Sequence, residues 1–228
     1  MQRFFDVLFS VLALIVLAPL LVPVVIILRL TGEGEVFYRQ ERVGLGGRLF
    51  WLLKFATMLK NSPNIGTGTV TLKHDPRILP VGRILRKTKV NELPQLLNIL
   101  KGDMSVVGPR PQARRCFDAF PAAVQESIVL VRPGLSGVGS IIFRDEENLL
   151  HEAQDPVAFY DEVIAPYKGA IEQWYIEHQT IRNYFLVIFV TVWVVLVPSS
   201  RIAWRVFDLP PPPPELRSAL LGEMGSAD

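Results

Sequence analysis

The pattern of hydrophobic and polar positions shows two long apolar segments, one near each end of the chain. The first, Val7–Leu28, is a run of 22 residues without a charged side chain. At about 1.5 Å per residue, a straight helix of this length can cross the hydrocarbon core of a bilayer. Pro19 and Pro23 interrupt its hydrogen bonding, and a sharp bend there would return the chain to the face it entered. The run therefore predicts a membrane helix, spanning or re-entrant, and we favour the re-entrant path.

The charges that flank this run predict the side of the membrane on which the rest of the chain lies. Arginine residues are more frequent after the run than before it: Arg3 precedes it, and Arg29, Arg39, Arg42 and Arg48 follow. Because Lys and Arg are enriched in segments on the cytoplasmic side, we expect the main domain on the cytoplasmic face in either topology.

The second apolar run, Tyr184–Val197, has 14 residues, which is short for a span and typical of an interfacial or buried helix. Its Val and Phe content would also suit a strand. Arginine and tryptophan residues around the run favour a helix at the level of the lipid headgroups. We therefore expect an interfacial helix within residues 181–207. Residues 208–228, which contain the polyproline stretch Pro210–Pro214, are predicted to be a weakly ordered tail.

Between the two runs, Glu35–Met58 alternates unevenly between apolar and polar residues around the segment Gly44–Gly47. This pattern predicts a β-hairpin with a glycine turn. Lys54 lies among apolar neighbours in the second arm, where a surface lysine with a buried stem is the commoner explanation and a substrate-facing one the alternative. The stretch Val81–Lys89 is predicted to form a short basic helix that includes Arg86, and such a helix beside a membrane attracts phosphates.

The most informative segment is Lys87–Pro111, which reads KTKVNELPQLLNILKGDMSVVGPRP. Leucines recur at helical spacing after Pro94, and Asn91 is a suitable N-cap, so a short helix is predicted with Glu92 in its first turn. Arg110 lies between two prolines in a stiff loop, where a guanidinium loses little entropy on binding a phosphate. An ordinary capped helix followed by a surface loop would give the same spacing.

Composition excludes several functional classes. The net charge of +2 gives no support for nucleic-acid binding, and the three histidines are too widely separated for a zinc site. The single cysteine, Cys116, rules out an internal disulfide and fits a domain that faces the cytosol. No P-loop, dinucleotide-binding fingerprint or internal repeat is found.

The motif NELPQLLNILKGDMSVVGPRP resembles the core of the bacterial sugar transferase family, the small monotopic phosphoglycosyl transferases. The resemblance covers roughly residues 1–185 and extends to further segments before and after the core: FYRQERVGLGGRLFWLLKFATM (Phe37–Met58), HDPRILPVGRILRK (His74–Lys87) and VRPGLSG (Val131–Gly137).

The resemblance implies an α+β, membrane-embedded monotopic enzyme of the inner membrane, with its catalytic domain on the cytoplasmic face. The expected units are a re-entrant helix, a small soluble α/β catalytic core, an interfacial helix and a tail: residues 1–30, 31–180, 181–207 and 208–228. The implied reaction transfers a sugar 1-phosphate from a UDP-sugar to undecaprenyl phosphate with release of UMP, and the product starts surface-glycan assembly. The implied partners are these two substrates and membrane lipid.

The resemblance also implies roles for individual residues. Catalytic roles are expected for four side chains: Asn91, Glu92, Arg110 and Lys54. Substrate binding is expected for four more: Arg86, Pro109, Pro111 and Glu172. The bend of the membrane helix is expected at Ala18–Pro19. Glu92 and Glu172 are the expected ligands of Mg²⁺, the cofactor suited to carboxylate and diphosphate oxygens.

Three positions differ from the usual pattern of the family. Asn91 replaces an Asp, Glu172 replaces an Asp, and Ala18 replaces a Ser. Family members are thought to form a phosphosugar on the Asp that Asn91 replaces, and an amide cannot act as that nucleophile. Glu92 as the nucleophile, direct attack by the lipid phosphate and an impaired chain remain open. A membrane-anchored scaffold without catalytic activity is the alternative function.

Overall fold

A computed structural model of the chain describes residues 1–64 and 75–222 and has helices together with two small sheets in that part, which agrees with the predicted α+β class. The strands are Phe37–Val43 (β1), Leu49–Phe55 (β2), Ser105–Val107 (β3) and Gly134–Ser136 (β4). The α-helices are Gln2–Leu30 (α1), Pro80–Lys87 (α2), Gln95–Lys101 (α3), Arg114–Asp118 (α4), Ala122–Ile128 (α5), Val138–Ile142 (α6), Glu146–Glu152 (α7), Pro156–Phe159 (α8), Ala165–Glu177 (α9), Ile181–Leu196 (α10), Ile202–Val206 (α11) and Pro214–Leu221 (α12). Turns of 3₁₀-helix occur at Leu45–Gly47, Ser62–Asn64 and Val90–Glu92, and a turn of π-helix occurs at Tyr160–Ile164.

The predicted membrane helix forms as α1, which continues through both Pro19 and Pro23. Within the described residues it is the one helix long and apolar enough to cross a membrane, and most of its apolar surface is exposed. It packs against the rest of the protein near both ends. Val24 and Leu28 are buried near the C-terminal end, and Asp6 is buried near the N-terminal end. The predicted bend at Ala18–Pro19 stays a prediction.

The predicted hairpin is confirmed, with β1 antiparallel to β2 and a turn around Gly46 and Gly47. Both glycines adopt positive φ angles of 67° and 73°, which L-residues with a side chain rarely adopt. The register places Tyr38 opposite Lys54. The inner face of the hairpin packs on α3, where Leu52 lies in one cluster with apolar side chains of the helix. The hairpin and α3 thus bring Lys54 next to the central motif.

The parallel pair β3–β4 supports the Gly-Pro-Arg-Pro loop, residues Gly108–Pro111. A large apolar core surrounds the pair and includes residues of α5, α6, α9 and α10. The loop continues directly from β3, and the Gly108 amide donates to the Ser136 carbonyl at 3.0 Å. A Cβ on Gly108 would come within 2.5 Å of the Arg132 carbonyl oxygen. Residue 108 must therefore be glycine for the loop to lie this close to β4.

The second apolar run is a helix and not a strand. The buried residues of α10 recur at helical spacing and join the main core, namely Tyr184, Val187, Val190 and Val194. Within the predicted weakly ordered tail, the structure has the helix α12. This segment packs on the rest of the protein, since Leu216 is completely buried and the Tyr167 hydroxyl donates to the Pro210 carbonyl at 2.7 Å. The last residues of that tail, 223–228, lie outside the described part of the chain, as does His74.

Candidate active site

The acidic part of the motif, Asn91-Glu92, lies in a 3₁₀ turn that leads into α3. The Leu93 amide donates to the Val90 carbonyl at 3.1 Å, and Asn91 and Glu92 lie within this turn. The regular α-helix begins only after Pro94, at Gln95. The predicted N-cap at Asn91 and the predicted place of Glu92 in the first turn of the α-helix are both wrong, because the 3₁₀ turn comes before the α-helix.

The structure brings Glu92, Arg110 and Lys54 together. Glu92 Oε1 lies 3.3 Å from Arg110 Nη2 and 3.9 Å from Lys54 Nζ. The Glu92 side chain is 17% exposed, so these charges attract each other with limited screening by water. The three residues come from the 3₁₀ turn, the Gly-Pro-Arg-Pro loop and β2. We call them, together with Arg42, the charge cluster.

Arg42 on β1 is a member of the cluster that the sequence analysis did not assign to the site. Arg42, Lys54 and Arg110 line the same recess. Arg42 Nη1 donates to the Pro111 carbonyl at 3.3 Å, and its enclosed Nε has no hydrogen-bond partner within the described residues. The period-two alternation of the hairpin would have revealed it, because register puts Arg42 on the same face as Lys54.

The pKa values of the cluster reflect burial first, and then the attraction and repulsion among its charges. Burial raises the pKa of Glu92, but the attraction of Arg110 and Lys54 outweighs it and lowers that pKa to about 2. Burial lowers the pKa of Lys54 to about 7, with repulsion from Arg42 and Arg110 opposing the attraction of Glu92. Burial, with repulsion from Arg110, lowers the pKa of Arg42 to about 10. Such a site favours an anion with more than one negative charge.

Glu172 on α9 lies behind the loop, not on the surface of the helix. It is 1% exposed, and its Oε1 accepts a hydrogen bond from the Arg110 backbone amide at 3.1 Å. Burial raises the pKa of Glu172 to about 7, while the bond from Arg110 and the charge of Lys168 oppose this. A Cβ on Gly139 would lie 2.3 Å from Glu172 Oε1, so glycine at that position makes room for the carboxyl group. Glu172 therefore contacts the backbone that carries Arg110.

The remaining predicted site residues lie near this centre, except for the two residues of the predicted membrane bend, Ala18 and Pro19. Arg86 Nη2 is 2.9 Å from Glu147 Oε1 at the edge of the cluster. The Pro109 carbonyl accepts from the Gly134 amide at 2.8 Å, so the prolines beside Arg110 are fixed through their backbones. Asn91 is 6% exposed, and its Oδ1 has no partner in the part of the chain that the structure describes. Ala18 and Pro19 are exposed in the middle of α1.

This arrangement is suited to binding and transferring a phosphoryl group. Phosphoryl transfer needs positioning and neutralisation of charge more than covalent chemistry from the protein. Three cationic side chains line one recess, and Arg110 has the planar fork that binds two phosphate oxygens. The ionised Glu92 is a carboxylate available beside them.

Comparison with known proteins agrees with this chemistry. The profile of the family described as bacterial sugar transferase matches residues 1–198. The chain is 38% identical over 159 residues to the exopolysaccharide production protein ExoY of Sinorhizobium fredii, an alignment that covers 64% of this chain and 70% of that protein. It is 32% identical over 211 residues to the undecaprenyl-phosphate galactose phosphotransferase of Salmonella typhimurium, covering 86% of this chain and 40% of that protein.

A third relative is the UDP-glucose:undecaprenyl-phosphate glucose-1-phosphate transferase of Caulobacter vibrioides, which is 40% identical over 144 residues. That alignment covers 61% of this chain and 53% of the relative. The chain thus spans more than two thirds of ExoY and about half or less of the two named transferases. Because the family profile covers residues 1–198 and includes the whole charge cluster, the chain belongs to the bacterial sugar transferase family.

Proposed function

We propose that this chain is a phosphoglycosyl transferase that moves a sugar 1-phosphate from a UDP-sugar to undecaprenyl phosphate and releases UMP. The observation that carries the proposal is the charge cluster, in which Glu92 is paired with Arg110 and Lys54 beside a cationic recess. The names of the relatives from Salmonella and Caulobacter support the same substrate classes. The product is a polyprenyl diphosphosugar, the starting unit of a surface glycan.

The reaction exchanges one P–O bond for another at the β-phosphorus of the UDP-sugar. A nucleophilic oxygen forms the new bond, and the bond to the bridging oxygen breaks, so that UMP leaves with the electron pair. Negative charge on the phosphoryl oxygens and on the departing UMP must be neutralised. Arg110, Lys54 and Arg42 supply that positive charge, and the bonds to the backbone of the Gly-Pro-Arg-Pro loop hold Arg110 in place.

Mg²⁺ is the cofactor in this proposal, and Glu92 is the carboxylate that would bind it. Its low pKa keeps Glu92 ionised, and Mg²⁺ often binds proteins through only one or two carboxylates together with substrate phosphates. No group of three His, Cys, Asp or Glu side chains within residues 1–64 and 75–222 is placed to hold a metal. When bound, the ion neutralises diphosphate charge. Glu172, which is buried and bonded to the Arg110 backbone, fits a role in positioning Arg110 better than ligation.

The amide at Asn91 leaves two active mechanisms, attack by Glu92 or direct attack by the lipid phosphate. In the first, incubation with a UDP-sugar alone leaves a phosphosugar on Glu92, which is visible by intact mass. In the second, no adduct forms, and release of UMP requires both substrates together. Asn91→Asp tests the impaired-chain alternative, because a large gain in turnover would support it and an unchanged rate would count against it.

We further propose that α1 enters and leaves the membrane by the cytoplasmic face of the inner membrane. The proposal is supported by the contacts at its two ends. Near the N-terminus Asp6 bonds to β3, and near the C-terminus Val24 and Leu28 pack with Phe55 and Leu85. A spanning helix would carry one of these ends across the bilayer and away from the catalytic domain. A helix that touches the domain at both ends fits a re-entrant path.

The exposed face of α10 supports contact with the same membrane. This helix buries one face in the core and leaves large apolar side chains exposed on the other, including Phe185, Phe189, Trp193 and Leu196. A helix of this kind lies in the plane of the headgroups. It would hold the charge cluster near the phosphate of a lipid substrate.

The deciding experiment measures UMP release from a panel of UDP-sugars, with and without undecaprenyl phosphate. We expect lipid-dependent release with at least one sugar, which also identifies the sugar. Glu92→Gln keeps the shape and removes the charge, and Arg110→Lys keeps the charge and removes the fork. Each should lower kcat by on the order of 100-fold. No release with any sugar would favour the scaffold alternative, and near-normal turnover in both variants would place the active site elsewhere.

A further inference from the structure

Asp6 is a buried carboxylate near the start of α1, just before the uncharged run Val7–Leu28. It is 2% exposed, and burying a charged group is costly unless hydrogen bonds compensate it. Its carboxylate accepts from the Val106 amide at 2.9 Å, from the Ser105 hydroxyl at 2.9 and 3.0 Å, and from the Tyr184 hydroxyl at 3.0 Å. One side chain thus links the membrane helix to β3 and to α10.

The contact with β3 leads directly to the charge cluster. Gln2, one turn before Asp6, donates to the Ser105 hydroxyl at 2.9 Å and to the Val107 carbonyl at 3.1 Å. All three residues of β3 therefore touch the start of α1. The next residues along the chain are Gly108–Pro111, the loop that carries Arg110.

We propose that Asp6 is a positioning residue that holds β3, and through it Arg110, in the place where the phosphoryl group is transferred. This inference rests on the proposed function. Within the described residues β4 is the one strand that pairs with β3, and Asp6 takes the amide of the middle residue, Val106. Without the carboxylate, this amide and the Ser105 hydroxyl lose the group that accepts their hydrogen bonds, and α1 holds the strand only through the two bonds donated by Gln2.

The hydrogen bonds of Asp6 fix the rotation and depth of α1 against the domain, which apolar packing alone does not. Helix α1 carries apolar side chains on all faces and would bury similar area in several rotations or depths. A hydrogen-bonded carboxylate has one arrangement in which all its partners are satisfied, so it fixes the register of the helix against the domain. The site then reaches its working geometry only when the membrane helix is docked.

The experiment compares Asp6→Ala, which removes the acceptor oxygens, with Arg3→Gln in the full-length protein, purified into lipid nanodiscs. Arg3 is a matched control, because it also ties the start of α1 to the domain but bonds the Ile99 and Leu100 carbonyls of α3 instead of β3. We expect Asp6→Ala to lower kcat by about tenfold or more, since small misplacements of catalytic groups are costly. Arg3→Gln should change kcat less than about threefold, and both variants should remain in the membrane fraction.

Two further measurements separate positioning from general destabilisation. In an Arg110→Lys background the additional loss from Asp6→Ala should fall below about twofold, because residues that act through one group are not additive. Hydrogen–deuterium exchange of peptides covering residues 105–111 should be faster in Asp6→Ala than in Arg3→Gln. Ser105→Ala, which leaves α1 unchanged, should accelerate the same peptides.

An unchanged kcat in Asp6→Ala, an equal loss in both Arg110 backgrounds, or unchanged exchange in residues 105–111 would each overturn the role of Asp6. A wild-type protein that releases no UMP would refute the proposed function instead. The exchange measurement does not depend on turnover and would still test the role of Asp6 in that case.

Discussion

Lys54 should make the capture of the UDP-sugar dependent on pH near neutrality. Burial and the neighbouring guanidinium groups lower the pKa of this lysine from 10.5 to about 7 in the free protein. Above pH 7 the free protein loses the Lys54 charge and with it part of its attraction for a diphosphate. The value of kcat/KM for the UDP-sugar should therefore fall about tenfold per pH unit above the pKa of Lys54.

The size of the pKa shift of Lys54 predicts that bound substrate restores the positive charge of this lysine. A displacement of roughly 3.5 pKa units corresponds to about 5 kcal/mol that opposes protonation of Lys54 in the free site. One phosphate charge at about 4 Å contributes about 4 kcal/mol in the opposite direction at an effective dielectric constant of about 20. The pKa of Lys54 should thus return close to its ordinary value in the complex. The fall of kcat with rising pH should therefore begin at a much higher pH than the fall of kcat/KM.

The assay measures UMP release between pH 5.5 and 9.5. Matched variants identify the residue whose titration causes kcat/KM to fall with rising pH. Lys54→Arg keeps the positive charge throughout this range and should move this fall above pH 9. Glu172→Gln is the control, because the pKa of Glu172 also lies at about 7. The lipid phosphate loses its second proton near pH 6, and its ionisation would raise the rate with pH, the opposite sign.

One result would refute this account of Lys54. If Lys54→Arg kept the falling limb near pH 7 and Glu172→Gln removed it, the titrating group would be Glu172. The low pKa of Lys54 would then have no part in substrate capture.

Two other predictions follow from the geometry. Cysteines placed at Gln2 and at Gly34, in a Cys116→Ser background, should react with an impermeant label from the same side of sealed vesicles, and labelling from opposite sides would rule out the re-entrant path. Gly139→Ala would place a Cβ only 2.3 Å from Glu172 Oε1, so it should displace the Glu172 carboxyl group. The displaced group would lose its bond to the Gly-Pro-Arg-Pro loop, and kcat should fall by about tenfold. Normal kcat in this variant would show that Glu172 does not position the loop.

Local patterns in the sequence predicted much of the fold. The apolar run gave α1, the alternation around Gly44–Gly47 gave the hairpin, and the proline and leucine pattern gave α3. The predicted N-cap at Asn91 is wrong because Asn91 lies within a 3₁₀ turn, and the α-helix begins only at Gln95. The sequence analysis did not predict α12, because the burial of Leu216 comes from tertiary packing, which composition does not report.

The part of the candidate site that lies in one segment of the chain could be predicted from the sequence. Glu92 and Arg110 were expected together, and their side chains are 3.3 Å apart. Arg42 and Asp6 were not found, because their contacts join segments that are distant in sequence. The burial of Glu172 depends on glycine at position 139 in another helix, so its spacing along α9 carries no signal of it.

The contacts of Asp6 also set the order of events during synthesis. Its partner Tyr184 lies 178 residues further along the chain, and Ser105 lies 99 residues further. At roughly 5–20 residues per second, the ribosome makes Tyr184 some 10–35 s after Asp6. During this interval the carboxylate of Asp6 lacks the partners that it has in the finished fold. The hydrogen bonds that join the start of α1 to β3 and α10 are therefore completed only late in the synthesis of this protein.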